Sequence, residues 1–179
     1  MVDLLDYAIV PAGPGDAADL ARVHVKSWRE TYPGHLPQTY LNGMRPSAHA
    51  RRFYRDLMRA SPGEVVLLAE SAEGPVGYAS GARLKAETRP ADSEVFTLYV
   101  LKAAQKAGLG RALLNSAARV FQADGARSLM LRVLSSNRKA RGFYEHLGGE
   151  AFAEVPSQGW GGGLTEIAYR WGDIARLTK

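Results

Sequence analysis

Residues 108–124 carry apolar side chains at Leu109, Leu113, Ala117, Val120 and Phe121, a spacing that lines one side of an α-helix and predicts a helix packed on a core. The stripe Leu20, Val23 and Ser27 predicts an earlier helix over about 16–30, opened by the turn Gly13-Pro14-Gly15-Asp16 with its capping aspartate. That helix ends at Tyr32, because Pro33 disfavours helical geometry in the residue before it and Gly34 follows. A further helix is expected over 47–59, with Phe53, Tyr54, Leu57 and Met58 turned inward, and a short one over 138–147.

The remaining apolar runs predict strands at 7–10, 64–70, 76–85, 94–101, 128–134, 150–155 and 164–171. The turn Ala72-Glu73-Gly74-Pro75 joins the second and third of them. The strand 94–101 reaches 128–134 through the helix 108–124, a β-α-β crossover that places these two strands parallel. The connection Gln158-Gly159-Trp160-Gly161-Gly162-Gly163 reads as a flexible hairpin loop, on which Trp160 is a candidate cover for a substrate.

With 179 residues and 46% hydrophobic content, the chain is expected to form a single α/β domain over 1–179, large enough for a substantial core and free of internal repeats. The first ten residues are interrupted by Asp3 and Asp6 and do not read as a targeting leader. No apolar run approaches the roughly 20 residues that span a bilayer. A soluble, cytoplasmic protein with no membrane partner is expected.

Composition narrows the chemistry. The chain has no cysteine, which excludes disulfides and thiolate nucleophiles, so any acyl transfer is direct unless another side chain becomes acylated. Histidines 24, 35, 49 and 146 are scattered without metal-ligand spacing, and no metal is expected. A net charge of +5 suits either nucleic acid or a polyanionic cofactor. Basic residues are dispersed except for Arg51, Arg52 and Arg55, which fit the solvated side of helix 47–59, so nucleic acid is disfavoured as a partner.

The candidate chemistry lies between Glu94 and Gly149. In Gln105-Lys106-Ala107-Gly108-Leu109-Gly110-Arg111, two glycines stand where a helix begins, so backbone N–H groups can approach an anion there. The helix dipole, Lys106 and Arg111 add positive charge, and a diphosphate would fit. No Gly-Lys-Ser/Thr follows, and Leu113 stands where a dinucleotide loop needs its third glycine, so neither a nucleotide triphosphatase nor a nicotinamide enzyme is favoured. Downstream, Asn137 and Tyr144 are seven residues apart and return to nearly the same helix face. Ala140, about 60° off that face, leaves room for a ligand to pass.

Taken together, the glycine loop and the Asn-x₆-Tyr helix resemble the GCN5-related N-acetyltransferase (GNAT) family, closely over 94–149 and in element order over nearly the whole chain. The resemblance implies an acyl-CoA N-acyltransferase fold: a central, twisted, mostly antiparallel mixed sheet flanked by helices, with 94–101 and 128–134 as its parallel pair. It implies acetyl-CoA as co-substrate, with the amides of Lys106, Ala107, Gly108, Leu109, Gly110 and Arg111 on the pyrophosphate after Gln105. The backbone around Tyr99, at Leu98 and Val100, would pair with the pantetheine arm, with Asn137 and Ala140 alongside. Tyr144 would reach the thioester sulfur as general acid. Lys102 departs from the proline frequent at its position, which bears on loop stiffness.

Each residue also has a plain structural role open to it: Asn137 suits an N-cap, and Tyr144 beside Phe143 suits core packing. The acceptor amine must lose a proton, since an alkylammonium titrates near 10.4. Strand alternation puts Glu94, Phe96, Leu98 and Val100 on one face, making Glu94 the candidate base if that face lines the cleft, and otherwise a solvent-exposed strand end. Trp28 and Tyr32 are candidates for the acceptor pocket, since that region borders it in similar acetyltransferases, and core edge and cap otherwise. A small-molecule or peptide amine is the expected acceptor, and a homodimer is compatible with the resemblance. A CoA-binding sensor without catalysis and a basic nucleic-acid-binding domain are the competing classes.

Overall fold

The computed structural model describes residues 6–84, 90–157 and 163–179. Its strands are β1 (Tyr7–Pro11), β2 (Glu64–Ser71), β3 (Gly74–Arg83), β4 (Ser93–Val100), β5 (Leu129–Leu134), β6 (Glu150–Pro156) and β7 (Thr165–Trp171). They form one sheet in the order β1-β2-β3-β4-β5-β7-β6. All neighbours run antiparallel except β4 and β5, which are parallel because α4 (Leu109–Ala123) carries the chain back between them.

Two helical layers cover the sheet. On one face, α4 buries Leu109, Leu113, Ala117 and Phe121 against Leu67, Ala79, Val95, Leu129 and Leu131, and α5 (Arg138–His146) adds Tyr144 to the same core. On the other, α1 (Ala17–Thr31) brings Leu20 and Val23, and α3 (Pro46–Met58) brings Phe53 and Leu57, onto Leu68, Tyr78 and Tyr99. The short α2 (Gln38–Gly43) seats Leu41 beside Val25 of α1. Arg29 fixes it there, donating to the Leu41 carbonyl at 3.1 Å and the Met44 carbonyl at 2.9 Å.

Three expectations about facing need correction. Tyr54 and Met58 are exposed rather than inward, because only the Phe53–Leu57 stripe of α3 reaches the core and residues one step further round point away. Val120 on α4 is likewise exposed, at the edge of its apolar stripe. The third correction bears on chemistry. In β4 the register steps from Ser80↔Thr97 to Gly81↔Val95, so Phe96 is an extra residue in a β-bulge and is exposed. The bulge breaks the alternation: Val95, Leu98 and Val100 face α4, whereas Glu94 shares the α1 face with Thr97 and Tyr99. Gly81 permits this close passage, since a Cβ there would overlap the Glu94 carbonyl and crowd Phe121.

The end of the strand expected over 76–85, and the glycine-rich connection with Trp160, lie outside the described residues.

Candidate active site

Strands β4 and β5 stay paired only from Ser93 to Val95 opposite Leu129 to Leu131. Beyond that point β4 continues along β3 as far as Val100↔Gly77, and β5 along β7 as far as Leu134↔Glu166. The two strands therefore part, leaving a fork between 96–100 and 132–134. Leu101 N–H donates to the Val76 carbonyl at 2.8 Å, which fixes the phase of the antiparallel ladder: Tyr99 bonds toward β3, while Leu98 and Val100 direct their N–H and C=O groups into the fork. Leu98 thus offers a ligand its N–H and C=O and Val100 its N–H, the Val100 carbonyl being engaged by Gln105, with both side chains committed to the core.

The loop after β4 runs toward the first turn of α4. Gln105 ties it down, donating Nε2 to the Val100 carbonyl at 2.9 Å while its Oε1 accepts from Lys139 Nζ of α5 at 2.5 Å. Glu30 at the end of α1 accepts from the Lys102 N–H at 2.7 Å. Lys106 sits at φ 70° and Gly108 at φ 81°, both left-handed, a curl of the kind that can turn successive N–H groups to one side. No side chain caps the helix at Gly108. The first-turn N–H groups of α4 have no partner within their own helix and point with its dipole at the hollow. Lys106 and Arg111 are exposed, Ala107 is half-buried, and Leu109 is buried, so Leu109 also contributes only backbone. Gly110 has a packing role as well: a Cβ there would stand 3.3 Å from Phe143 Cζ, so its absence lets α5 close on α4.

Asn137 caps α5, its Oδ1 accepting the Ala140 N–H at 3.1 Å, which leaves the amide Nδ2 to donate elsewhere. Two turns on, Tyr144 is buried, its ring 5.2 Å from that of Phe143. Burial, reinforced by Tyr32, pushes the Tyr144 hydroxyl well above its ordinary pKa and keeps it protonated. Opposite, the hydroxyls of Tyr32 and Tyr99 are 2.9 Å apart, and both are raised chiefly by burial. Tyr144 belongs to the α4 side of the sheet and Tyr99 to the α1 side, and Tyr32 adds to the burial that raises both.

Trp28 lies one turn before Tyr32 on α1, its ring 5.3 Å from that of Tyr32 and 6.2 Å from that of Tyr99. His24 is one turn earlier again; its Nδ1 is 2.7 Å from the Tyr78 hydroxyl, and burial lowers its pKa to about 3, so it is neutral. Glu94 is buried on this same face, its Oε1 3.6 Å from Arg132 Nη2 of β5. The structure therefore groups Trp28, Tyr32 and Tyr99 on the α1 side of the fork, with Tyr144 on the other; Glu94 lies on the α1 face within the paired stretch of β4, beside Arg132 rather than against this group. His24, Tyr78, Arg132 and the Tyr99 side chain join the site only in the folded structure. The i, i+4 series His24, Trp28, Tyr32 carries a signal for the first; Arg132 reads as an ordinary solvent-facing strand residue. Among the described residues no group of three or more His, Cys, Asp or Glu is placed to hold a metal ion.

A seven-stranded mixed sheet forked at its parallel pair, with a left-handed loop at a helix start, defines the class of fold. Residues 25–149 match the acetyltransferase (GNAT) family, and the chain belongs to that family of N-acetyltransferases. It is 31% identical over 163 residues, 90% of this chain and 91% of the relative, to the uncharacterized N-acetyltransferase YuaI of Bacillus subtilis. It shares its fold with the PaiA N-acetyltransferase of Thermoplasma acidophilum, solved in complex with coenzyme A (TM-score 0.74, 18% identity, 92% of this chain and 99% of that one). YncA of Salmonella typhimurium, solved with its cofactor acetyl-CoA, is also similar (TM-score 0.67, 20% identity, 94% of each chain).

Proposed function

We propose that the chain, acting as one domain in the cytoplasm, transfers an acetyl group directly from acetyl-CoA to a primary amine of a small molecule or peptide. The observation that carries this reading is the β4–β5 fork, with an N–H-lined loop at its mouth and tyrosines from both faces at its centre.

In this reading the N–H groups of 106–111 hold the diphosphate, with Lys106 and Arg111 adding charge. Leu98 and Val100 pair their backbone with the pantetheine arm, Asn137 Nδ2 donates to it, and Ala140 leaves it room. The acceptor amine enters from the α1 side past Trp28 and Tyr32. Glu94, directly or through water, takes the proton that an alkylammonium must lose. The amine nitrogen then bonds to the thioester carbon, and a backbone N–H of the splayed strand stabilises the oxyanion. Collapse breaks the carbon–sulfur bond, the nitrogen sheds its second proton to water, and the thiolate leaves against Tyr144. A thiol titrates near 8.5, so its thiolate is a weaker base than the Tyr144 phenolate. Tyr144 accordingly serves the leaving group mainly as a hydrogen-bond donor, with the final proton supplied from water.

Isothermal titration with acetyl-CoA, CoA and ATP, followed by an amine panel assayed for released thiol, tests the reading. Binding of both CoA species with thiol release is expected. Failure to bind either would overturn it, and binding with no release across the panel would favour a CoA sensor.

A further inference from the structure

Helix α3 meets the core through Phe53 and Leu57, and its outer flank carries Arg51, Tyr54, Arg55 and Met58 at the i, i+3, i+4, i+7 spacing that keeps four residues on one side. All four are exposed, Tyr54 at 51% and Met58 at 60%, so two large side chains lie in water with no part in the core. Arg51, Tyr54 and Arg55 border an open groove of about 820 Å³, whose opposite wall is the entry to α1 at Gly15, Ala17 and Ala18. The rest of its lining is proline and alanine. The two arginines are uncompensated. Arg52 pairs with Asp56, Arg22 with Asp19, and the Asp16 carboxylate accepts the Gly13 N–H; among the described residues no carboxylate comes within ion-pair distance of Arg51 or Arg55. Like charges one turn apart disfavour a helix, so this pair does not serve α3 itself. A phosphate backbone would meet the arginines and leave Tyr54, Met58 and the alanines wet, whereas an acidic peptide with an apolar anchor covers both. Arginine, tyrosine and methionine are also the side chains enriched where proteins meet. The groove opens at the start of α1 and Tyr32 caps the other end of that helix, so at 1.5 Å per residue it lies about 20 Å from the fork.

We propose that this groove is a docking site for an acidic segment of a partner protein. Carboxylates of the segment pair with Arg51 and Arg55, and an apolar side chain between them lies on the alanine floor against Tyr54. Two solvent-screened ion pairs and one anchor make a weak, salt-sensitive contact, suited to transient association. The inference does not depend on the acetyl-transfer reading.

The test selects a displayed library of random peptides on the immobilised full chain, with counter-selection on the double variant Arg51→Glu with Arg55→Glu. Enriched peptides are synthesised, titrated by fluorescence anisotropy and mapped by backbone amide NMR shifts. They should carry Asp or Glu on both sides of an aromatic or aliphatic residue and perturb the amides of Gly15, Ala17, Ala18, Arg51 and Arg55. Their affinity should fall about tenfold in Arg51→Gln with Arg55→Gln, less in Tyr54→Ala, and should weaken as salt is raised. Circular dichroism and melting should match the wild type in the glutamine variant, which separates lost docking from lost folding; should the glutamate variant not fold, the glutamine variant takes its place in the counter-selection. No enrichment of acidic peptides overturns the proposal, as do an affinity unmoved in the glutamine variant and shifts that fall away from the groove. A homothymidine oligonucleotide that binds more tightly than every selected peptide, and is lost in the same variant, also overturns it by assigning the arginines to phosphate.

Discussion

The hydroxyls of Tyr32 and Tyr99 are 2.9 Å apart although one belongs to the C-terminal cap of α1 and the other to the C-terminal end of the strand that edges the fork. The contact joins the end of α1 to the strand of the fork, and in the proposed reading it ties the acceptor side of the site to the CoA side. Tyr32→Phe should cost about 1 kcal/mol of stability, the net value of one such bond. It should raise KM for the amine more than it lowers kcat, with acetyl-CoA affinity unchanged. Steady-state kinetics beside calorimetric binding would check this; an equal loss of acetyl-CoA affinity would contradict it.

Gly108 and Gly110 fail differently when given a side chain. At Gly108 the φ of 81° is left-handed, so Gly108→Ala strains the backbone by roughly 1–2 kcal/mol and should flatten the curl of the loop. At Gly110 the backbone is unstrained, but a methyl would press on Phe143 at 3.3 Å and shift α5, with Asn137 and Tyr144 on it. Both variants should bind CoA more weakly. Only Gly110→Ala should also reduce kcat, because it displaces the helix that carries Tyr144. A kcat loss of equal size in Gly108→Ala would sink the distinction.

Tyr144→Phe removes a hydroxyl that burial holds protonated and leaves a ring already packed between Phe143 and Trp171. The fold and acetyl-CoA binding should survive, and the loss should fall on kcat, by ten-fold or more if the leaving thiolate depends on a donated hydrogen bond of about 1.5–3 kcal/mol. Undiminished turnover would assign the residue to packing alone.

The sheet and its main helices were legible because burial on one or both faces imposes a period that survives in the residues themselves: Leu109, Leu113 and Ala117 on α4, or the apolar run 129–134 of β5. The loop was legible because left-handed backbone needs glycine, as at Gly108. The bulge was not. One extra residue leaves Glu-Val-Phe-Thr-Leu-Tyr-Val looking like regular alternation, yet it turns Glu94 from the face of Leu98 to that of Tyr99 and exposes Phe96. The six residues of α2 show no stripe because only Leu41 is buried. Arg132 and Tyr99 gain their meaning from partners on other strands and helices, Glu94 and Tyr32, which no local pattern announces.

His24 makes stability depend on pH. Burial, with His49 and Arg52 adding, lowers its pKa to about 3, against about 6.5 for an imidazole in the unfolded chain. Between those values the unfolded state binds a proton that the folded state refuses, so unfolding free energy rises with pH across the window. The contribution is fully present above about 6.5 and is lost as pH falls toward 3, at about 1.4 kcal/mol per unit. His49, also lowered by burial, acts in the same direction. From pH 7 to 5, above the range where most carboxylates titrate, the protein should lose about 2 kcal/mol and its Tm should fall by roughly 4–8 °C. His24→Gln keeps a polar partner for the Tyr78 hydroxyl, 2.7 Å from His24 Nδ1, and removes the titration. It should start from a lower Tm at pH 7 and show a much smaller fall to pH 5. A fall as steep as that of the wild type, measured by scanning calorimetry at both pH values, would mean that the acid sensitivity arises elsewhere.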